Sequence, residues 1–298
     1  MKKIKVIFFG CIDLSYTALM SLTRIKHVEV VGVVTKKTSP INSDFFPLET
    51  FCKKKKLDTF FFEPNKSKQL FDWVKEKRSE VILCVGWSHV INSSILSLPI
   101  FYSIGYHPSD LPKNRGRHPL IWSLVLGLTK TASTFFELNK NVDSGDIINK
   151  SHINIAKIDT INSLKKKLEK KIVKQIQEIF FDILKGKLKR KKQNNLLANK
   201  LRKRYFSDGV IDWRMNAEPI SNLVRALVKP FPGASIYYNG NEFKVWMVKI
   251  SNFSPQNTEP GKVLSVINKN IHVKCSDKSI IITKHNLKRM PKKGEYLL

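Results

Sequence analysis

Residues 101–148 read FYSIGYHPSDLPKNRGRHPLIWSLVLGLTKTASTFFELNKNVDSGDII. An apolar run starting at Phe101 ends on His107, and a VDSGD turn further on carries Asp143. Between them lie a Pro/Gly/Arg-rich loop, Pro112 to Pro119, and the alternating run Ala132 to Leu138. The pattern predicts a strand over 101–107, a helix over 119–128 and a strand over 131–138. A His at one strand end and an Asp on a loop beside a neighbouring strand can form a charge-oriented acid/base pair. Residue types alone favour a surface His and an ordinary turn Asp, since lone residues of these kinds usually have no chemical role.

Outward from this stretch, the N-terminal side alternates strand and helix. KIKVIFFG reads as a buried parallel strand ending at Gly10, with a short helix over 13–22 and a second strand over 28–37. The first turn holds Gly10 alone and no G-x-G-x-x-G, which argues against a nicotinamide or flavin. A polar loop is expected over 38–46, helices over 47–56 and 66–78, and a strand over 81–87. That last strand ends in Gly86-Trp87-Ser88-His89, where open α/β sheets collect ligands. SHINI (151–155) predicts an edge strand. Residues 160–184 repeat apolar positions with a 3.6-residue period, an amphipathic helix. Short strands at close spacing after Ala234 predict a small β-sheet or barrel.

Two segments carry a family resemblance. HPSDLPKNRGRHPLIW with TASTFFELNKNVDSGDII, and RKRYFSDGVIDWRMNAEPISNLVRALVKPFPGA (202–234), resemble the folate-dependent formyltransferases. These include the methionyl-tRNA and sugar N-formyltransferases. The resemblance implies an α/β chain with a Rossmann-like, mostly parallel catalytic domain over 1–185. A basic linker over 186–204 and a small β-rich, OB-like domain over 205–298 would follow.

It also implies transfer of a formyl group from N10-formyltetrahydrofolate to an amine. His107 would take the amine proton or stabilise the tetrahedral oxygen, and Asp143 would hold the imidazole and relay the proton through water. Cys84, Gly86, Trp87, Ser88, His89, Val90, Leu138 and Asn139 are the implied folate-binding residues. Gly10, Tyr106, Arg115, Trp122 and Asp212 are the implied acceptor-binding ones. One residue departs from the pattern. The family usually has Asn two places before the His, where this chain has Gly105. The donor to the formyl oxygen would then be Asn114 or a water beside Gly105.

Composition bounds the partners. Lys plus Arg number 53 and Asp plus Glu 24, a net charge of +29. Such a chain could engage tRNA, a nucleotide diphosphate or an anionic membrane surface, although a lysine-rich genome would produce the same excess. Cys11, Cys52, Cys84 and Cys275 are scattered without a CxxC pair, which argues for a reducing cytoplasm, no disulfide framework and no metal. The lysine-rich start reads as a first strand, not a signal peptide, and no apolar run reaches membrane-spanning length.

The leading expectation is an enzyme acting on a nucleotide-linked aminosugar in surface polysaccharide biosynthesis. In place of the tRNA branch's Gly-rich basic insertion after the second strand, the chain has TKKTSPINSDFFPLE. Methionyl-tRNA is the alternative acceptor. A degenerate fold serving as a basic RNA- or partner-binding module is a further alternative, and a homodimer is the assembly to consider.

Overall fold

The computed structural model describes residues 3–39 and 43–298. Met1 and Lys2, and Pro40 to Asn42 of the expected 38–46 loop, lie outside the described residues. By contacts the chain forms two compact units. The first contains residues 1–119, 130–154 and 165–201; the second contains 120–129, 155–164 and 202–298.

The first unit is built on a seven-stranded sheet. Its leading half contains β1 (Ile4–Phe9), α1 (Asp13–Leu22), β2 (Val28–Thr35), α2 (Glu49–Lys54), β3 (Thr59–Phe61), α3 (Ser67–Glu76), β4 (Val81–Cys84) and α4 (Ser93–Leu96). There follow in chain order β5 (Tyr102–His107), the two-residue β6 (Arg115–Gly116), α5 (Pro119–Val125), β7 (Lys130–Glu137), β8 (Ile147–Asn154), α6 (Ile161–Leu184) and β9 (Lys200–Leu201), of which α5 beyond Pro119 and the start of α6, up to Leu164, belong to the second unit. The large sheet has the order β3-β2-β1-β4-β5-β7-β8. Its first five strands are parallel, and β7 and β8 are antiparallel additions. β1 and β4 are almost wholly buried, as parallel strands covered on both faces must be. Ile7, Phe9, Val34, Leu70, Val74, Ile82 and Ile95 form one core cluster. β8 is the expected edge strand, with most residues only half-buried.

The chain order reverses between β1 and β4, so their carboxyl ends open onto the crevice where doubly wound sheets bind ligands. The β1–α1 turn is pinned there. Ser15 Oγ donates to Val85 O at 2.6 Å and accepts the Cys11 N–H at 3.1 Å. The strand expected over 81–87 stops at Cys84, freeing Gly86 onward from the sheet. Residues 186–204 were expected to be a linker, yet they include β9, which pairs with β6 on the site loop.

The second unit contains α7 (Ala217–Ala226), β10 (Ala234–Tyr238), β11 (Asn241–Ser251), β12 (Val263–Ile267), β13 (Asn270–Lys274) and β14 (Ser279–His285). The strands form an antiparallel sheet in the order β10-β11-β14-β13-β12. The two edges are both met by the last residues. Tyr237 and Leu298 exchange backbone hydrogen bonds beside β10, while Val263 N donates to Glu295 O and Leu297 N to Gly261 O beside β12. Backbone left bare at both edges is thereby satisfied by one short segment. The sequence reading missed α7, although Ile220, Leu223 and Val224 carry helical spacing and are buried. Among the described residues no helix is long and apolar enough to cross a membrane.

Candidate active site

β5 delivers His107 at its last position, 6% exposed. Its Nε2 lies 2.8 Å from the backbone carbonyl of Asn114. A carbonyl only accepts, so Nε2 carries a proton. The other ring nitrogen, Nδ1, lies 3.7 Å from Asp143 Oδ2. In the neutral ring Nδ1 is therefore the basic nitrogen, and a proton taken up there has a carboxylate beside it. The arrangement can accept a proton from a nucleophile and keep it in place, as a general base must.

Asp143 is fixed independently of the imidazole. Its Oδ2 accepts the Gly116 N–H at 2.8 Å, and its carbonyl accepts from Gln193 Nε2 at 3.0 Å. Gln193 is 5% exposed and also donates to Gly145 O at 2.7 Å. Gly145 must be glycine, because a Cβ there would stand 1.7 Å from Glu137 O. Asp143 and Asn114 both have positive φ, 55° and 60°, a region that Asx residues tolerate better than most.

Arg115 and Asn114 are loop-bracing residues here. Arg115 donates from Nε and Nη2 to Gln193 Oε1 and from Nη2 to Asn195 Oδ1. The Asn114 amide group meets Asn199, whose Nδ2 is 3.2 Å from Asn114 Oδ1. Asn114 thus reaches His107 through its backbone carbonyl, while its side-chain oxygen accepts from Asn199. Sequence reasoning missed Gln193 and Asn199, which lie 78 and 85 residues beyond their partners in the loop. No local pattern marks them.

The β4 turn shows how a ring-shaped ligand could be held. The N–H groups of Gly86, Trp87, His89 and Val90 donate no hydrogen bond among the described residues. Backbone donors in a partly covered turn call for partners, and a pterin edge would provide them. Trp87 packs against Phe9 and Phe62, with ring centroids 5.8 and 5.4 Å away. His89 packs on Phe62 at 5.1 Å. Burial, with Lys36 and Arg117 adding to it, pushes the His89 pKa down. Burial pushes the Cys84 thiol far up. A cavity of about 540 Å³ lies beside the turn, lined by Phe62, Phe71, Trp87 and Ile91 among others. Val90 is 79% exposed.

Gly105 lies between Cys84 and Phe136 in the sheet. A Cβ there would be 2.5 Å from Leu138 Cδ2. Leu138 is thus placed against β5, and Asn139 is exposed, accepting from Asn141 N and Ser144 Oγ. Tyr106 is half-buried against Phe135, and burial pushes its hydroxyl up. Gly10 is buried. Trp122 and Asp212 belong to the second unit. There Arg202 and Arg204 sit over the Trp122 ring at 5.4 and 4.9 Å, and Asp212 pairs with Arg214 at 2.7 Å. Arg225, also in that unit, donates to the carbonyls of Asp159 and Ala156. Among the described residues no group of three His, Cys, Asp or Glu side chains could hold a metal.

Comparison with known families matches residues 2–179 to the formyl transferase model and 206–294 to the formyl transferase C-terminal domain. The chain belongs to the formyl transferase family. These are enzymes that move formyl groups, and the family uses formyl-tetrahydrofolate. The chain is 29% identical over 301 residues to methionyl-tRNA formyltransferase of Geobacter sulfurreducens, covering 98% of this chain and 92% of that one. It is 30% identical over 280 residues to the bifunctional polymyxin resistance protein ArnA of Wigglesworthia glossinidia brevipalpis, covering 93% of this chain. It spans only 42% of that longer relative. In fold it is similar to an N-formyltransferase from Helicobacter canadensis solved with folinic acid and dTDP-3-aminofucose. That match has a TM-score of 0.72 at 15% identity, over 95% of this chain and 99% of that one. In this formyl transferase the Leu138 side chain occupies the space a side chain at 105 would need.

Proposed function

We propose that this formyl transferase moves a formyl group to the amino group of a nucleotide-linked aminosugar. The observation that carries formyl transfer is the His107–Asp143 pair, with basic Nδ1 beside a carboxylate that the backbone already holds. N10-formyltetrahydrofolate bound at the β4 turn would supply the formyl carbon. The N–H groups of Gly86, Trp87, His89 and Val90, which donate no hydrogen bond among the described residues, suit its hydrogen-bonding ring edge. His107 takes the proton the acceptor amine must lose as the new C–N bond forms; the formyl–N10 bond then breaks, and that proton passes to N10 to give tetrahydrofolate, with Asp143 keeping the imidazole oriented. Cover from Phe62 and Trp87 lowers the local polarity around the turn.

The segment between β2 and α2 supports the sugar acceptor. It is short, contains no glycine, and its lysines turn back at its root. Lys36 donates to Ser88 Oγ, and Lys37 lies 5.3 Å from the Phe61 ring. Lys36 is buried there, and the exposed Lys37 keeps its ammonium over a ring. Methionyl-tRNA is the second reading, favoured by the near full-length match to methionyl-tRNA formyltransferases.

The test incubates the protein and N10-formyltetrahydrofolate with a panel of nucleotide aminosugars and, separately, with charged initiator tRNA. Formylation of an aminosugar is expected. Formylation of the tRNA alone would overturn the sugar reading, and formylation of nothing would overturn both.

A further inference from the structure

The segment between α6 and β9 turns its amide side chains back to the site. Gln193 is 5% exposed, and both ends of its amide are engaged. Nε2 donates to the carbonyls of Asp143 at 3.0 Å and Gly145 at 2.7 Å. Oε1 accepts from Arg115 Nε at 3.3 Å and Nη2 at 2.8 Å. Asn195 Oδ1 accepts from Arg115 Nη2 at 2.8 Å, and Asn199 Oδ1 accepts the Asn114 N–H at 2.8 Å. One segment thus joins the loop that holds His107 Nε2 to the turn that carries Asp143.

The segment is anchored on both sides of Gln193. Lys191 and Ile147 exchange two backbone hydrogen bonds, each 2.8 Å, and β9 pairs with β6. Asp143 needs such outside support. Its φ of 55° is a backbone conformation that a non-glycine residue keeps only when its surroundings enforce it. The imidazole does not enforce it, because His107 Nδ1 lies 3.7 Å from Oδ2. The Gly116 N–H fixes the carboxylate, and Gln193 fixes the peptide that leaves Asp143.

A primary amide suits position 193 because it donates twice and accepts on the same planar group. Met would fill the space and take away every one of these hydrogen bonds. An ionised Glu would still accept from Arg115 but has no proton to give the two carbonyls. We infer that Gln193 is a positioning residue for formyl transfer: it sets the Asp143 turn, and through that turn the carboxylate beside His107. The inference rests on the reading of His107 and Asp143 as the reacting pair. It makes the segment after α6 part of the site, where a plain connector between units would need no buried amide.

The test compares full-length wild type with Gln193→Met, Gln193→Glu and Asp143→Asn. Turnover is read with whichever of the nucleotide aminosugars or charged initiator tRNA the wild type formylates. In Gln193→Met, kcat should fall by about 10-fold or more while the folate KM changes less than about twofold. The acidic limb of its pH–rate profile should move in the same direction as in Asp143→Asn. Gln193→Glu keeps the Arg115 contact and should fold, yet its kcat should fall as well, because the donors to the turn are gone. On the Asp143→Asn background, Gln193→Met should lower kcat by less than about a further twofold, as a residue acting through that carboxylate must. Gln193→Glu decides by itself if Gln193→Met does not fold.

Turnover of the Gln193 variants within about twofold of wild type overturns the inference. So does a loss that repeats in full on the Asp143→Asn background, or a folate KM that rises about 10-fold as kcat falls; either would make Gln193 a general brace of the fold. Those outcomes leave the formyl-transfer reading standing. Full activity of Asp143→Asn would overturn the inference together with the role of Asp143, and formylation of no acceptor by the wild type would sink the formyl-transfer reading and this inference with it.

Discussion

Asp143 Oδ2 stands 3.7 Å from His107 Nδ1, beyond hydrogen-bond range, and its firm contact is instead the Gly116 N–H at 2.8 Å. The carboxylate is thus placed by the loop and presented to the imidazole. That order separates two roles that usually overlap, charge and shape, and each can be removed alone.

His107 tests the base. His107→Asn removes the basic nitrogen at similar polarity. Steady-state kinetics should show kcat lower by about 10²-fold or more, with folate binding retained by calorimetry. Near-normal turnover would reduce the contact with Asn114 O to a structural bond.

Asp143 tests the charge. Asn tolerates the positive φ of this position and can accept the Gly116 N–H through Oδ1, so Asp143→Asn keeps the turn. Activity should fall by about 10²-fold or more, and the acidic limb of the pH–rate profile, where a general base is lost to protonation, should shift. Full activity with an unchanged profile would leave Asp143 as a turn residue.

The sequence and the fold agree best where local patterning carries the information. The helix over 13–22 and the position of His107 at the end of β5 follow from apolar runs with clear stops. The β7–β8 hairpin places Asp143 because Gly145 allows the loop to pass close to Glu137 O. What could not be read is contact across the chain. Nothing in the pattern places Leu138 against Gly105, Gln193 under the Asp143 turn, or Lys36 and Arg117 on Ser88. The 81–87 run looked like one strand because Val85 is as apolar as the residues before it, yet its ladder ends at Cys84. Asn114 is the expected donor to the formyl oxygen; its Oδ1 is held by an amide 85 residues away, a contact no local pattern announces.

Gly105 can be tested by rebuilding the family residue. Gly105→Asn alone forces its Cβ into Leu138, an overpacking that costs about 1–3 kcal/mol. Its midpoint in urea should drop accordingly. Leu138→Ala in the same chain frees the space, so the double variant should recover stability relative to the sum of the singles. Strictly additive losses would show that Leu138 is not what excludes a side chain at 105.

Asp208 provides a pH signature in the second unit. Arg202 hydrogen-bonds it, and the Tyr205 N–H donates to it at 2.7 Å, holding its pKa down to about 2. A depressed carboxylate adds stability above its unfolded pKa, near 3.8, and loses it as pH falls toward the folded value. The stability difference between wild type and Asp208→Asn should therefore be full above about pH 5 and shrink steadily between about pH 4 and 2. A difference independent of pH in that window would remove the ion pair as its source.

The basic 185–192 segment sets the two acceptors against each other. Lys185, Lys187, Lys189 and Lys192 are exposed, and the Lys185 ammonium lies over the Phe181 ring at 4.1 Å. Exposed lysines of this kind can be neutralised with little effect on the fold. An RNA acceptor would release counterions from several phosphates, so its apparent affinity should fall by about 0.7–0.9 log units per phosphate contact for each tenfold rise in salt. A nucleotide sugar has two phosphates, so it releases few counterions. Changing the four lysines to Gln should then leave kcat/KM within about twofold, and the salt dependence of the acceptor KM should stay shallow. A steep salt slope that flattens in the four-lysine variant, together with formylation of charged initiator tRNA, would transfer the acceptor site to RNA.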